Sequence, residues 1–306
     1  MTMQPDLEAL AQQLEAHPDY KLLRRLPDRQ VFRPVVPGQA VATGVVLDTE
    51  TTGFEVGQDQ VIELGMIRFR FDPQTGDVLD IERVLDELED PGFPIPPAST
   101  EIHHITDAMV QGQRIDDAAV SEFLRGVDVV IAHNASFDRP FVEARWPVFE
   151  TLPWACSLKD IDWRGEGFGS AKLDYLLYTQ GLFHEAHRAE ADCRALLEIL
   201  SRVLPSSQQS ALLSLLEKVR SPQRRVYATG SPFETKDRLK ARGYRWSGEL
   251  RCWSRAVSGE SAYADELNWL RQHVYGERAA RVEVEIVGAT VRYSLREGQK
   301  EMVNLA

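Results

Sequence analysis

The chain has 306 residues, a formal net charge of −12 at pH 7, 43% hydrophobic residues and 27% charged residues. This length accommodates more than one domain, and the negative charge argues against a protein that coats nucleic acid over its whole surface. No apolar run approaches the roughly 18 residues that span a bilayer, so no membrane association is expected. Three cysteines without a CxxC pair predict neither a disulfide framework nor a zinc site, and they favour a cytoplasmic location.

Charge is unevenly distributed along the chain. Between Arg224 and Arg255, nine Lys or Arg residues stand against three acidic residues, whereas the first 223 residues carry a net charge of −16. An acidic front and a basic segment behind it predict two modules with different roles. The predicted division is an N-terminal extension at 1–40, a main domain at 41–204, a helical linker at 205–222 and a small basic and aromatic module at 223–306.

The main domain has the pattern of an α/β fold. Apolar alternation and short buried runs predict strands at 44–48, 61–71, 78–85 and 129–132. Helical spacing predicts helices at 116–124, 137–146, 171–178 and 190–203, after an N-terminal helix at 7–14. Three strands in succession, followed by strands that alternate with helices, predict a sheet of mixed direction with helices on its faces.

The C-terminal module is predicted to be a small α+β unit. Ser231, Pro232 and Glu234 have the pattern of a helix start, and Gly243 suits the end of that helix. The remaining predicted elements are a hairpin at 244–256, a helix at 264–275 and two closing strands within 281–295.

Aromatic residues alternate with basic residues in this module, and two interpretations stay open. The aromatic residues are Phe233, Tyr244, Trp246 and Trp253. Such a mixture suits binding of a single strand by base stacking and phosphate neutralisation. The aromatic rings also suit the core of a small domain, with the charges solvated.

The first stretch with visible chemistry is VVLDTETTG, which ends at Gly53. In a strand, side chains at i and i+2 point to the same face, so Asp48 and Glu50 project together from the end of a buried strand. Two neighbouring carboxylates repel each other and lose hydration unless a positive charge lies between them. Mg²⁺, which prefers carboxylate oxygens, fits that requirement.

Two further motifs follow at helix starts. HNASFD ends at Asp138, where a predicted buried strand gives way to a helix, and open α/β sheets place their sites at such strand ends. HRAEAD runs from His187 to Asp192 at the start of the helix with the clearest apolar periodicity.

Together, LDTETTG, HNASFD and HRAEAD resemble the three signatures of the DEDDh 3′→5′ exonuclease family, which includes the epsilon proofreading subunit of bacterial DNA polymerase III. Each motif alone has little specificity, but all three in this order and context are specific. The resemblance covers about residues 42–204, roughly half of the chain. It implies a ribonuclease-H-like mixed sheet flanked by helices. It also implies a metal-dependent 3′→5′ exonuclease that releases nucleoside 5′-monophosphates.

The resemblance also assigns roles to single residues. Asp48, Glu50, Asp138 and Asp192 would bind two Mg²⁺ or Mn²⁺ ions, and His187 would be the general base. Two metals can hold the attacking and leaving oxygens of a phosphoryl displacement, and a histidine side chain is suited to accept the proton. For Asp138, a role as a helix N-cap stays open.

Contacts to the 3′-terminal nucleotide follow from the same resemblance. The residues implied are Thr51, Thr52, Gly53, Glu63, His103 and Asn134. His104 stands where the family often has glycine, so the loop backbone can differ. A purely structural role stays open for Glu63 and His103, and Asn134 is expected to order the turn before Asp138.

DNA is favoured over RNA as the substrate because of the proofreading resemblance and the basic module. Two alternatives stay open. One is a 3′ exoribonuclease of the same family, since the catalytic residues do not sense the sugar. The other is a nucleic-acid-binding adaptor whose nuclease domain is structural. The expected partners are a nucleic acid 3′ end and a DNA polymerase or another replication or repair protein.

Overall fold

The computed structural model describes residues 6–221, 223–276 and 278–305. The strands in chain order are β1 (Arg24–Arg25), β2 (Ala42–Thr51), β3 (Val61–Phe71), β4 (Val78–Leu88), β5 (Val129–Ala132), β6 (Trp154–Cys156), β7 (Leu182–Phe183), β8 (Gln223–Tyr227), β9 (Arg245–Ser247), β10 (Cys252–Ser258), β11 (Ala280–Val287) and β12 (Gln299–Leu305). The α-helices are α1 (Leu7–Glu15), α2 (Pro97–His103), α3 (Asp107–Val110), α4 (Asp117–Phe123), α5 (Ala135–Arg145), α6 (Ser157–Asp160), α7 (Leu173–Thr179), α8 (Ala189–Leu200), α9 (Ala211–Arg220), α10 (Lys236–Arg242) and α11 (Glu260–His273).

The main sheet has the strand order β4-β3-β2-β5-β6. The first three strands are antiparallel neighbours, while β5 and β6 run parallel to β2. Helices α8 and α9 pack on one face, and helices α4 and α5 pack on the other. The predicted ribonuclease-H-like mixed sheet flanked by helices is therefore confirmed.

Side chains of the central strand β2 alternate between the two faces. Val46 is buried in the cluster beneath α8, whereas Val45 and Leu47 are buried in the cluster beneath α5. Because the period of a strand is two residues, Asp48 and Glu50 continue the face of Val46 and point toward α8. The register of β2 thus decides which helix these carboxylates meet.

The segment predicted as a linker contains helix α9. Ala211, Leu212, Leu215 and Leu216 of this helix are buried in the same cluster as α8. The helix is therefore a packed part of the main core and not a free connection. The division of the chain into domains stays a prediction.

A second sheet, with the order β12-β11-β8-β10-β9, is antiparallel throughout. Helices α10 and α11 contribute Leu239 and Leu270 to its buried cluster. The expected α+β module is therefore present, although β8 was not predicted. None of the helices in the described part of the chain combines the length and apolar composition that a bilayer crossing requires.

One predicted strand of this module is wrong. The sequence pattern placed a second closing strand within 281–295, but the partner of β11 is β12 at 299–305. Residues 288–298, which we name the return loop, leave the second sheet and pack against the main domain. Tyr293 donates from its hydroxyl to Asp160 Oδ1 at 2.7 Å, and the guanidinium of Arg292 lies 3.3 Å from the same oxygen. Alternation alone did not reveal these contacts.

Arg139 of helix α5 is the centre of the contact with the return loop. It is 0% exposed, and it donates to the carbonyl oxygens of Ala289 at 3.1 Å and Thr290 at 2.6 Å. Its Nε also donates to Glu143 at 2.7 Å. A buried guanidinium requires such partners, so the return loop completes the environment of α5.

Candidate active site

The carboxyl end of β2 brings two carboxylates against a third from helix α8. Each of Asp48, Glu50 and Asp192 offers an oxygen, and these oxygens all lie within 4.8 Å of one another. The first two residues share a strand face, and Asp192 lies on the first turn of α8. Strand and helix therefore converge on one acidic cluster, the set of residues that the family resemblance implies.

A glycine allows helix α8 to approach the sheet this closely. Gly65 is the antiparallel partner of Asp48, and a Cβ atom at position 65 would lie 2.5 Å from the carbonyl carbon of Ala189. Contacts that short do not occur, so a larger residue would displace the start of α8. The thiol of Cys193 fills the adjacent space, 3.4 Å from the carbonyl oxygen of Gly65.

The fourth predicted carboxylate, Asp138, lies on α5 next to this cluster. It is 2% exposed, and its Oδ1 accepts hydrogen bonds from Thr49 N at 3.1 Å and Thr49 Oγ1 at 2.9 Å. The N-cap of α5 is Asn134, which has a left-handed backbone with φ 85°. Asp138 is therefore not the helix cap, and Thr49 fixes one of its oxygens beside Asp48 and Glu50.

Two histidines, not one, lie at Asp192. His187 has φ 66° and is exposed; its backbone N–H donates to Asp192 Oδ2 at 2.8 Å. The Nε2 atom of His184 lies 2.7 Å from Asp192 Oδ1, and its Nδ1 lies 3.6 Å from Asp174. Sequence reasoning missed His184 because no periodic pattern links it to Asp192, and only the packing of β7 brings it there.

These side chains surround an open cleft of about 560 Å³. Its lining residues are Asp48, Thr49, Glu50, Phe54, His133, Asn134, Phe137, Asp138, Leu158, Lys172, Leu173, Asp174, Ala186, His187 and Asp192. All five predicted catalytic residues are among them. The rings of Phe54 and Phe137 lie 6.1 Å apart, and Phe54 is 76% exposed. These two rings and Lys172 were not predicted from the sequence.

Of the six predicted substrate contacts, Asn134 lines the cleft and five do not. Thr51 donates to the carbonyl oxygen of Gly53 at 2.6 Å, and Thr52 Oγ1 lies 3.1 Å from Asp59. Glu63 is 0% exposed. The hydroxyl groups of the two threonines are therefore used within the turn after β2.

Glu63 and His103 are both buried beside the cleft. The carboxylate of Glu63 accepts from Arg188 Nη2 at 2.7 Å and from Ala189 N at 3.0 Å, which ties it to the start of α8. His103 is 2% exposed, and its Nδ1 accepts from Ile105 N at 3.0 Å. Its Nε2 has no hydrogen-bond partner among the described residues.

Comparison with known proteins shows the family of this chain. The RNase T family model, described as an exonuclease, matches residues 45–200, which is half of the chain. The chain belongs to this exonuclease family. The acidic cluster, both histidines and Asp138 lie within the matched residues.

Two curated relatives of this exonuclease are DNA polymerase III proteins. DNA polymerase III subunit epsilon of Treponema pallidum is 32% identical over 166 residues, which are 51% of this chain and 74% of that protein. DNA polymerase III PolC-type of Clostridium perfringens is 33% identical over 168 residues, which are 51% of this chain and 11% of that protein. The exonuclease thus spans most of the first relative and about a tenth of the second.

Two solved exonucleases are also similar in structure. Exonuclease X in complex with a 5′-overhanging duplex DNA has a TM-score of 0.39 and 27% identity, covering 56% of this chain and 99% of that chain. E. coli ExoI in complex with single-stranded DNA has a TM-score of 0.46 and 16% identity, covering 80% of this chain and 54% of that chain.

The electrostatics of the exonuclease cleft favour protonated acids. Burial, followed by the charges of Asp138 and Asp192, raises the pKa of Asp48 well above its usual value. Burial, followed by the charge of Asp192, raises the pKa of Glu50 to about 8. Burial also raises the pKa of Asp138 to about 7, against the opposing hydrogen bonds from Thr49. These crowded carboxylates, one buried and the others half-buried, form a hard oxygen donor set that fits Mg²⁺ or Mn²⁺.

The stability of the exonuclease without divalent ions should therefore depend on pH through Glu50. Its folded pKa of about 8 lies above the ordinary value of 4.5, so ionisation costs more in the folded state. The contribution of Glu50 to stability is then largest below about pH 4.5 and falls as pH rises toward about 8. Urea unfolding in EDTA at several pH values should show that Glu50→Gln is more stable than wild type near pH 8 and similar near pH 4.5. A difference of opposite sign would contradict this prediction.

Proposed function

We propose that this exonuclease is a metal-dependent 3′→5′ enzyme that hydrolyses phosphodiester bonds at the 3′ end of single-stranded DNA and releases nucleoside 5′-monophosphates. The observation that carries the proposal is the convergence of Asp48, Glu50 and Asp192 within 4.8 Å in a chain of the exonuclease family. DNA is the proposed substrate because both curated relatives described above are named as DNA polymerase III proteins. A DNA polymerase is the proposed partner for the same reason.

Four carboxylates would hold the metal. We assign two divalent ions, Mg²⁺ or Mn²⁺, to Asp48, Glu50, Asp138 and Asp192. When bound, such ions stabilise the charge that develops on the attacking and leaving oxygens of a phosphate. The Oδ1 atom of Asp138 is already held by Thr49, so its Oδ2 is the proposed ligand atom.

The remaining cleft residues bind the strand end and move the proton. Exposed His187 would accept a proton from the attacking water at a ring nitrogen. Phe54 and Phe137 offer rings against which the terminal base can pack, and Lys172 offers a charge for a phosphate. Asn134 stays a proposed substrate contact at the cleft wall.

The predicted substrate contacts that do not line the cleft are assigned different roles. His103 stays a proposed contact to the terminal nucleotide, but its Nε2 is buried here, so that contact would require the loop around it to open. The backbone of Thr51, Thr52 and Gly53 is proposed to lie against the terminal sugar. For Glu63 we propose the structural alternative: through Arg188 and Ala189, it positions the helix that carries Asp192.

The two histidines at Asp192 should differ in their effect on the reaction. We expect His187→Ala to lower kcat by ~10²–10⁴-fold with little change in stability, because a general base contributes that much and the side chain is exposed. His184→Ala should lower kcat less, since its ring only orients the carboxylate of Asp192. Single-turnover rates on a 3′-labelled strand, together with melting temperatures, measure both. If His184→Ala lowers kcat more than His187→Ala does, then His184 is the general base and His187 is not.

Matched DNA and RNA strands test the proposed function. Single-stranded and duplex forms, labelled at the 5′ end to reveal shortening, would be incubated with Mg²⁺, Mn²⁺ or EDTA. We expect stepwise loss of single nucleotides from the DNA 3′ end and no reaction in EDTA. Faster degradation of RNA would make the chain an exoribonuclease. Activity that persists in EDTA would reject the metal-dependent mechanism.

A further inference from the structure

The C-terminal module contains a second open cleft, of about 520 Å³, that shares no lining residue with the active site. It is formed by residues of β9, β10 and the turn between them, and by the segment from the end of β8 to the start of α10. Its lining residues are Ala228, Gly230, Ser231, Pro232, Phe233, Lys236, Trp246, Arg251 and Trp253. The cleft therefore combines three aromatic rings with two cationic side chains.

Two of these rings are exposed to solvent. Phe233 is 74% exposed and Trp246 is 53% exposed. Trp246 lies on edge strand β9 directly opposite Trp253, and their ring centroids are 5.6 Å apart. The core of the module explains Tyr244, which is 2% exposed, but it does not explain Phe233 or Trp246. Large exposed rings that share one cleft mark a binding surface.

The cations at this cleft have no acidic partner in the part of the chain that the structure describes. Within the described ranges, 6–221, 223–276 and 278–305, Lys236 and Arg251 form no ion pair. By contrast, Arg224 pairs with Glu260 at 2.7 Å, and Glu266 binds both Arg242 and Arg255. Lys236 and Arg251 therefore leave two uncompensated charges beside the exposed rings, and within the described residues Arg238, Lys240, Arg245 and Arg281 form no ion pair either.

Lys236 connects the charge to the aromatic surface. Its Nζ lies 4.2 Å from the centroid of the Phe233 ring. A ligand that stacks on this ring would have its neighbouring anionic group within reach of the ammonium. An unpaired nucleotide has both parts, a flat base and a phosphate, whereas an apolar peptide would use the rings and leave the cations unpaired.

We propose that this cleft binds single-stranded DNA, with unpaired bases stacked on Phe233 and Trp246 and adjacent phosphates at Lys236 and Arg251. Bases in a duplex are covered by their neighbours, so the exposed rings select a single strand. The choice of DNA over RNA rests on the proposed function. The existence of the cleft and its charges does not.

Binding by the full chain in EDTA tests the site without hydrolysis. The probe is a fluorescein-labelled oligothymidylate of about 20 nucleotides, followed by anisotropy. We expect Phe233→Ala and Trp246→Ala each to raise Kd by on the order of 5- to 100-fold, because stacking of one base contributes that range. Lys236→Ala should reduce the slope of log Kd against log salt by ~0.7, the value for one phosphate contact on a single strand.

Matched controls come from exposed residues outside the module. Tyr20 is 60% exposed, and Lys218 is exposed on α9. Tyr20→Ala and Lys218→Ala should bind as wild type does. The p-nitrophenyl ester of thymidine 5′-monophosphate is a substrate with one nucleotide. Its rate of hydrolysis should be unchanged in Phe233→Ala, Trp246→Ala and Lys236→Ala. If the wild-type protein does not hydrolyse this ester, the proposed function is rejected. The binding measurements would still test the second cleft, because they do not depend on hydrolysis.

Three outcomes would overturn the inference. One is an unchanged Kd in both Phe233→Ala and Trp246→Ala, which would leave the cleft to a protein partner. Another is an equal loss of affinity in Tyr20→Ala. The third is tighter binding of an oligouridylate of the same length that depends on the same two rings, which would make RNA the ligand.

Discussion

Asp48→Asn is expected to abolish 3′-end hydrolysis while the protein stays folded and becomes more stable in EDTA near pH 8. The asparagine has nearly the same shape but no charge to hold a metal. Bound metals supply several kcal/mol of transition-state stabilisation, and each ~1.4 kcal/mol is tenfold in rate, so we expect kcat to fall by at least about 10³-fold. Stability should rise because the half-buried Asp48 carboxylate is desolvated and is repelled by Asp138, Asp192 and Glu50.

The opposite signs of these two effects make the experiment specific. Single-turnover rates with saturating Mg²⁺ measure the first effect, and urea unfolding in EDTA measures the second. Glu55→Gln is the matched control. Glu55 lies five residues after Glu50, its side chain is exposed, and it does not line the cleft. A rate for Asp48→Asn close to that of Glu55→Gln would reject the metal site. Loss of activity together with loss of stability would instead make Asp48 a structural residue.

The sheet and the shared face of Asp48 and Glu50 were predictable because local patterns encode them. Alternation in β2 and β3, the buried run of β5 and the helical spacing of α8 each specify one element and its exposed end. Asp48 and Glu50 lie at such an end, so the period of the strand predicted that they share a face. The joining of Asp138 and Asp192 to them was implied by the resemblance of the three motifs to the exonuclease family, and the hydrogen bond from Thr49 to Asp138 was not predicted.

Contacts that depend on how separate elements pack were not predictable from local patterns. His184 reaches Asp192 through the packing of β7, and Lys172 enters the cleft ahead of helix α7. The alternation of Val291, Tyr293 and Leu295 resembles a strand, yet tertiary hydrogen bonds to the main domain hold this segment as a loop. A local pattern states what a segment can form and leaves open which surface completes it.

Replacement of Arg139 by methionine is expected to lower the free energy of unfolding by about 3–5 kcal/mol, the usual cost of removing one member of a buried ion pair. The variant removes the 2.7 Å partner of Glu143 and the guanidinium donors to the carbonyl oxygens of Ala289, Thr290 and Arg292. Ala289 and Thr290 keep hydrogen bonds from Trp154 N and Arg296 Nη2, and Glu143 keeps its ion pair with Arg296. Urea unfolding measures the loss. Arg125→Met is the control, because Arg125 is 78% exposed and pairs with Glu122, and surface pairs contribute about 0–1 kcal/mol.

The same contact decides how the C-terminal module can be studied. Removal of residues 223–306 would remove the return loop that contacts Arg139. Because Arg139 is adjacent to the proposed ligand Asp138, truncation should unfold or inactivate the nuclease. A truncated chain as stable as wild type would contradict this, as would an Arg139→Met variant as stable as Arg125→Met. If the prediction holds, loss of DNA binding on truncation says nothing about the aromatic cleft. Only point substitutions in the full chain, at exposed Phe233 and Trp246, separate binding by the module from its support of helix α5.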